Sequence, residues 1–295
     1  MFEWLGISQQ ALFGQLLVGL INGAFYATLS LGLAVIFGLL NIVNFAHGAQ
    51  YMMGAFVAWM GLNYLGIDYW WSLILAPLAV GLVGILLELT LLRRLYKLDH
   101  LYGLLLTFGL ALIIEGGFRQ AYGISGERYD IPEALNGAFN LGFMFLPKYR
   151  GWVVAASLIV CLLTWLVIER TKLGAYLRAG TENPKLLQAF GVNVPVMVTL
   201  TYGLGAALAA FGGVLAAPIF QVNAVMGSNI LIIVFAVVVI GGLGSIIGSI
   251  VTGIALGLIE GLTKVFYPEG SSVVIFVIMA IVLITRPAGL FGKEK

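Results

Sequence analysis

Few side chains in this sequence can do chemistry, and those that can are set among apolar residues. Asn41, Asn44, His47 and Gln50 bring amide and imidazole groups to the edge of an apolar run. Asn41, Asn44 and His47 are three apart, so a helical conformation aligns them on one side. Polar groups at membrane depth face a bundle interior or a water-filled cavity, which makes the four a candidate lining for a translocation path. The alternative is a helix end at a membrane interface, with the same residues capping and packing. Three carboxylates also sit inside apolar runs. Glu88 comes shortly before Arg93 and Arg94 and is placed to snorkel to the surface, and Glu115 lies one turn from Arg119 and is placed to pair with it. Glu260 follows Gly253 and Gly257 within one apolar run. It is a candidate for the path or for a polar tie between helices.

Other kinds of chemistry lack their parts. The two histidines, His47 and His100, are far apart, and neither a His-Glu-x-x-His nor a Gly-x-Ser-x-Gly sequence is present. A membrane enzyme would need such a metal-ligand set or activated nucleophile. No Gly-x-x-x-x-Gly-Lys-Ser/Thr phosphate loop is present, so this chain is not expected to hydrolyse ATP. No catalytic residue and no metal site is assigned. The single cysteine, Cys161, lies in an apolar run and reads as a small core hydrophobe.

The elements that must hold these residues follow from composition. Of 295 residues, 61% are hydrophobic and 9% charged, against about 25% charged in soluble domains. The solvent that accommodates such a chain is lipid. Lipid admits only helices or closed barrels. The apolar runs are continuous and lack the alternation of a barrel strand, so the expected fold is all-α, a polytopic membrane bundle forming a single transmembrane domain over 1–295. At about 20 residues per span, helices are expected near 11–40, 46–65, 71–92, 101–118, 151–169, 196–219, 229–244, 246–263 and 271–286. The first is long for one straight span and short for two, and Asn22-Gly23 interrupts it, so it reads either as one tilted helix or as a helix plus a short broken piece, and eight to ten segments are expected. The first basic residue is Arg93, which leaves no charged n-region for a secretory signal. The N-terminal stretch is therefore expected to be mature membrane structure.

Charge orients the bundle. Alternating the spans places ten basic residues, among them Arg93, Arg94, Arg170, Lys172, Arg178, Lys185 and Arg286, on one side and five, Arg119, Arg128, Lys148, Arg150 and Lys264, on the other. The first side is expected to be cytoplasmic, with the C-terminus. The 119–150 loop then lies outside and the 170–195 loop inside. Net charge is +2, which gives no pull toward nucleic acid. Glycines recur four apart within the apolar runs: Gly19 and Gly23, Gly244 and Gly248, and Gly253, Gly257 and Gly261. Such faces let helix backbones approach closely.

The inner loop contains a short amphipathic helix over 181–191. Thr181 or Asn183 can cap it, Pro184 suits its first turn, Leu186, Leu187 and Phe190 form an apolar stripe, and Gly191 can end it. So short a helix needs a partner surface, either the chain's own floor or a separate subunit.

The order Leu-Gly-x-x-Leu-Arg-Ala-x-x-x-Asn-x-x-x-x-x-x-Phe-Gly-Val-Asn-Val, starting at Leu173, resembles the cytoplasmic coupling loop of ATP-binding-cassette importer permeases of the branched-chain amino acid branch. The stretch 41–56, Asn-Ile-Val-Asn-Phe-Ala-His-Gly-Ala-Gln-Tyr-Met-Met-Gly-Ala-Phe, is similar to that family's early membrane signature. Val-Ile-Gly-Gly-Leu-Gly-Ser-Ile-Ile-Gly over 239–248 is similar to its late glycine-rich one, and the chain closes on Arg286-Pro-Ala-Gly-Leu-Phe-Gly292. The Glu-Ala-Ala triplet common in such loops is replaced by Leu187-Gln188-Ala189. The resemblance implies a binding-protein-dependent importer in a bacterial inner membrane. Its parts would be a second, related permease, two cytosolic ATPases that carry the ATP and Mg, and an external binding protein. This chain would bind no cofactor itself. The coupling contact would fall on Arg178, Thr181, Pro184, Leu187, Ala189, Phe190 and Gly191. Branched-chain amino acids are the expected substrate, with urea, short amides or aromatic acids as alternatives. A stand-alone channel or secondary transporter would instead need midplane ion-coupling carboxylates or a filter sequence.

Overall fold

The computed structural model describes residues 8–40, 43–96, 98–142 and 144–292. Among these, eleven α-helices follow one another: α1 (Gln9–Leu40), α2 (Ala46–Leu65), α3 (Tyr69–Thr90), α4 (His100–Tyr122), α5 (Lys148–Arg170), α6 (Lys172–Glu182), α7 (Pro184–Ala189), α8 (Val194–Ala216), α9 (Met226–Gly241), α10 (Ile246–Phe266) and α11 (Val274–Thr285). A two-stranded hairpin, β1 (Ala138–Asn140) with β2 (Phe145–Pro147), folds the loop between α4 and α5. The all-α membrane bundle expected from composition is what forms. Six of these helices, α1, α3, α4, α5, α8 and α10, are long and apolar enough to cross a membrane, and α9 and α11 are apolar but shorter. With α2, whose first turns carry His47 and Gln50, they fall within the eight to ten segments expected.

Asn22-Gly23 does not interrupt the first segment. α1 is continuous over 32 residues, about 48 Å at 1.5 Å per residue, and must tilt or protrude from a hydrocarbon layer of about 30 Å. Gly23 is small because α10 crosses there. A Cβ on Gly23 would lie 2.9 Å from Ile254 Cα, and one on Gly19 would lie 2.5 Å from the Gly257 carbonyl oxygen. On the facing helix, a Cβ on Gly253 would lie 2.6 Å from Ala27 N, and one on Gly257 would run into the backbone of both Gly19 and Gly23. The two helices are antiparallel, since Gly19 meets Gly257 and Gly261 while Gly38 lies against Gly244 beyond the start of α10. α1 thus begins at the end of the bundle where Lys264 lies and finishes at the end bearing α6.

α8 is the second seam. Its Gly205 meets Gly32 and Ile36 of α1, its Ala210 and Gly213 meet Gly54 and Tyr51 of α2, and its Ala206 meets Gly84 of α3. Small residues at these positions bring three helices onto one. α1 and α8 are consequently the most enclosed of the spans, and α4 is the most exposed.

The expected Gly244 and Gly248 pair does not share a helix face. Gly244 lies in the turn between α9 and α10 with φ +84°, a backbone conformation that glycine alone enters without strain, and only Gly248 is helical, pressed on Gly241 of α9. The same turn is closed by the C-terminal segment. Leu290 N–H donates to the Ile240 carbonyl at 2.8 Å and Phe291 N–H to that of Gly241 at 3.1 Å. These bonds occupy carbonyls that the end of α9 would otherwise leave open.

Gly257→Val drives a branched side chain into the α1 backbone and is expected to lower stability by about 1–3 kcal/mol or more. Gly109→Ala, on α4 with nothing near its Cβ, should be neutral or slightly stabilising. Thermal unfolding midpoints in detergent check both.

Candidate functional site

Two regions gather the candidate residues. The first surrounds the start of α2, which lies inside the bundle. Phe45 N–H donates to Thr107 Oγ1 of α4 at 3.2 Å, the Thr107 hydroxyl reaches the Val43 carbonyl at 3.3 Å, and Asn44 Oδ1 accepts from Ala46 N–H at 3.1 Å. The Phe45 ring stacks on Phe235 of α9 and meets Phe108 of α4 edge-on. Gly48 faces Gly227 at the start of α9, backbone to backbone. Asn41 lies outside the described residues. Asn44 precedes α2, so it does not share a helix face with His47 as the three-residue spacing suggests. Its side chain lies ahead of the N-cap Phe45 and accepts from the first N–H of α2, which would be costly to leave unpaired in this surrounding.

All three described members of the quartet are buried, and His47 and Gln50 tie α2 to its neighbours. Asn44 Nδ2 donates to Gln50 Oε1 at 3.4 Å, and Gln50 Nε2 donates to the Tyr202 hydroxyl of α8 at 3.3 Å. His47 points the other way, its Nε2 donating to the Leu29 carbonyl of α1 at 2.9 Å. Its Nδ1 is buried without a partner among the described residues. These groups face the interior of the chain rather than an open surface of it. Glu260 sits between α1 and α10, accepting from the Tyr26 hydroxyl at 2.7 Å and from Lys264 Nζ at 2.5 Å. Of its two readings, the geometry is that of a tie between helices. Glu115 pairs with Arg119 at 3.3 Å, as the one-turn spacing predicts.

The second region is the basic end. The expected helix over 181–191 is two helices. α6 starts at Lys172, and Pro184 breaks it because proline lacks an N–H and excludes the helical conformation from the residue before it. Asn183 caps α7 through Leu186 N–H at 3.0 Å, whereas the Thr181 hydroxyl bonds back to the Arg178 carbonyl within α6. Gly191, at φ +82°, ends α7 as expected. Arg178 fastens α6 to the end of α5, with Nη1 at 3.2 Å from the Ile168 carbonyl and 3.3 Å from Glu169 Oε2. The expected apolar stripe divides. Leu187 is 7% exposed and packs on Val194 and Met197 of α8, while Leu186 and Phe190 face outward, Phe190 at 78% exposure. Pro184 and Ala189 are exposed beside them. α7 therefore has its own anchor and a free apolar edge.

Glu88 does not snorkel. Its side chain is wholly buried beside Arg93, Tyr96 and the first turns of α8. Thr199 and Tyr202, which share one face of α8 and complete both polar groups, are not singled out by the sequence reading. Their only signal is two hydroxyls three apart in an apolar run.

With this geometry in place, relatives resolve the class. The family model described as branched-chain amino acid transport system / permease component matches residues 15–283. The chain belongs to this family. It is 28% identical to the high-affinity branched-chain amino acid transport system permease protein LivH of Escherichia coli K12, over 95% of this chain and 96% of the relative. It is 30% identical to BraD of Pseudomonas aeruginosa, a permease protein of the same description, with the same coverage. LivM of Salmonella typhimurium, also described as a permease protein of such a system, is 26% identical over 92% of this chain and 68% of its own length. No solved structure matches. The chain is a multi-pass membrane permease of the branched-chain amino acid transport family.

Tyr202→Phe leaves the buried Gln50 amide short of a partner and is expected to cost about 1–3 kcal/mol. Replacing Gln50 by Met in the same chain removes that amide but takes the acceptor from Asn44 Nδ2. Thermal midpoints of the two single variants and the double should therefore be non-additive, the double costing less than the two single changes summed.

Proposed function

We propose that this chain forms part of the translocation pathway of an ATP-driven importer that brings branched-chain amino acids across a bacterial inner membrane. The observation that carries the proposal is the outward edge of α7. A permease with no phosphate loop takes its energy from elsewhere, and a short helix anchored by Leu187 and presenting Leu186 and Phe190 to water has the form of a docking element. It lies at the end richest in Lys and Arg, which the positive-inside rule assigns to the cytoplasm, together with the C-terminal segment. Two cytosolic ATPases, holding ATP and Mg, dock there, and the chain itself binds no cofactor. Arg178 acts by fastening α6 beneath α7, and Pro184, Ala189 and Gly191 act by setting its position. Thr181, whose hydroxyl bonds to the Arg178 carbonyl, acts by holding the end of α6 from which α7 departs.

A second, related permease completes the pathway. Similarity to both LivH and LivM supports two related chains side by side. The 123–147 segment faces outward, where an external binding protein delivers substrate. Branched-chain amino acids are favoured over urea, short amides or aromatic acids by the names of the relatives. The whole chain acts as one permease domain.

Affinity purification from the native membrane in mild detergent, followed by mass identification, tests the proposal. Recovery of ATPase subunits with a second permease is expected, and recovery of this chain alone with transport intact would overturn it. Phe190→Asp is expected to reduce ATPase recovery by at least about tenfold, a hot-spot loss of some 1.4 kcal/mol or more, with membrane insertion unchanged. Leu187→Asp should instead destabilise α7 itself.

A further inference from the structure

The docking element joins the membrane part of the chain through α8, and α8 is held by a second contact one turn deeper. Leu187 of α7 packs on Val194 and Met197. Beyond them, Thr199 Oγ1 donates to Glu88 Oε2 of α3 at 2.6 Å. The same carboxylate accepts from Tyr96 Oη at 2.9 Å and from Arg93 Nε and Nη2 at 3.3 Å each. Arg93 Nη2 also donates to Thr199 Oγ1 at 2.6 Å and reaches the Pro195 carbonyl at 3.5 Å. Burial, and then the Glu88 charge, hold the Tyr96 phenol above its ordinary value, so it stays a neutral donor. Three residues further along the same face of α8, Tyr202 receives Gln50 of α2.

Glu88 is fully buried, whereas Arg93 is partly exposed. A buried carboxylate is tolerated only while its donors stay in place. Any shift of α8 along α3 withdraws the Thr199 hydroxyl and the Arg93 contact to α8 together. Such a contact favours one arrangement and resists intermediates, which is what a two-state element requires.

We propose that Glu88 is a positioning residue for transport: through Thr199 and Arg93 it clasps the start of α8 to α3, so that displacement of α7 must open this clasp before it moves the spans. The inference rests on the importer reading of α7. With the clasp weakened, the energy of ATP hydrolysis is no longer held until substrate arrives, and hydrolysis separates from transport.

The test uses the assembled transporter in proteoliposomes with leucine and its binding protein. ATP hydrolysis is measured with and without loaded binding protein, alongside leucine imported per ATP. Glu88→Gln and Thr199→Val are expected to retain the ATPase subunits, to raise hydrolysis without binding protein, and to lower leucine per ATP by about fivefold or more, the lower range of coupling between sites. Thr199→Ser, which restores the hydroxyl, should behave as the native chain. Native hydrolysis and stoichiometry in both variants would overturn the clasp. So would a parallel fall in hydrolysis and import at constant ratio, which is the mark of a structural role. Should Glu88→Gln fail to insert, Thr199→Val, which keeps the side-chain shape, decides by the same two readings. A native chain that recovers no ATPase at all overturns the importer reading, and the clasp with it.

Discussion

The bundle depends on how closely two backbones can approach in a solvent that does not push them together. Lipid gives helices no hydrophobic reason to associate, so attraction must come from dispersion between surfaces in near contact. The seam between α1 and α10 supplies this through Gly19, Gly23, Gly253 and Gly257, each with backbone rather than side chain as its neighbour. α8 repeats the device on three sides. Once these two seams are set, the remaining spans have only the outer positions left, and α4 is left largely exposed.

Close packing leaves little room for polar groups, and those present are used as joints. Gln50 with Tyr202, Glu260 with Tyr26, and Glu88 with Thr199 each cross between two helices. In a low-dielectric interior such pairs fix register, because sliding one helix past another strands a donor or an acceptor. They also divide the molecule. The Tyr26 and Glu260 pair lies on the helix seam toward the Lys264 end, while the Glu88 group lies at the basic end, beside α6 and α7. The permease is thus pinned where its spans cross and clasped where its docking helix attaches.

Much of the fold was legible in the sequence because span length and apolar content are properties of single segments. The borders expected for α2 match those found, and the continuous helix through Asn22-Gly23 was one of the two readings left open. What failed required knowledge of neighbours. The three-residue spacing of Asn44 and His47 predicts a shared helix face, yet α2 begins only at Ala46, and Asn44, ahead of the N-cap Phe45, turns its side chain to the Ala46 N–H. The stripe of Leu186, Leu187 and Phe190 looked uniform, and only the position of Met197 reveals that Leu187 turns inward. Glu88 looked free to reach the surface, since its partner Thr199 is 111 positions away in the chain. Gln50 and Tyr202 are 152 apart, beyond any local pattern. The break between α6 and α7 at Pro184 follows from backbone sterics, which the run of residue types over 181–191 does not display.

The closure of the α9–α10 turn by Leu290 and Phe291 bears on where the bundle can hinge. Two backbone acceptors, the Ile240 and Gly241 carbonyls, are covered there by a segment some fifty positions further along the chain. Opening the turn would strip both at once in a surrounding poor in replacement donors. α9 and α10 are thereby stiffened against each other at this end, and any rocking of the pair carries the 288–292 segment with it.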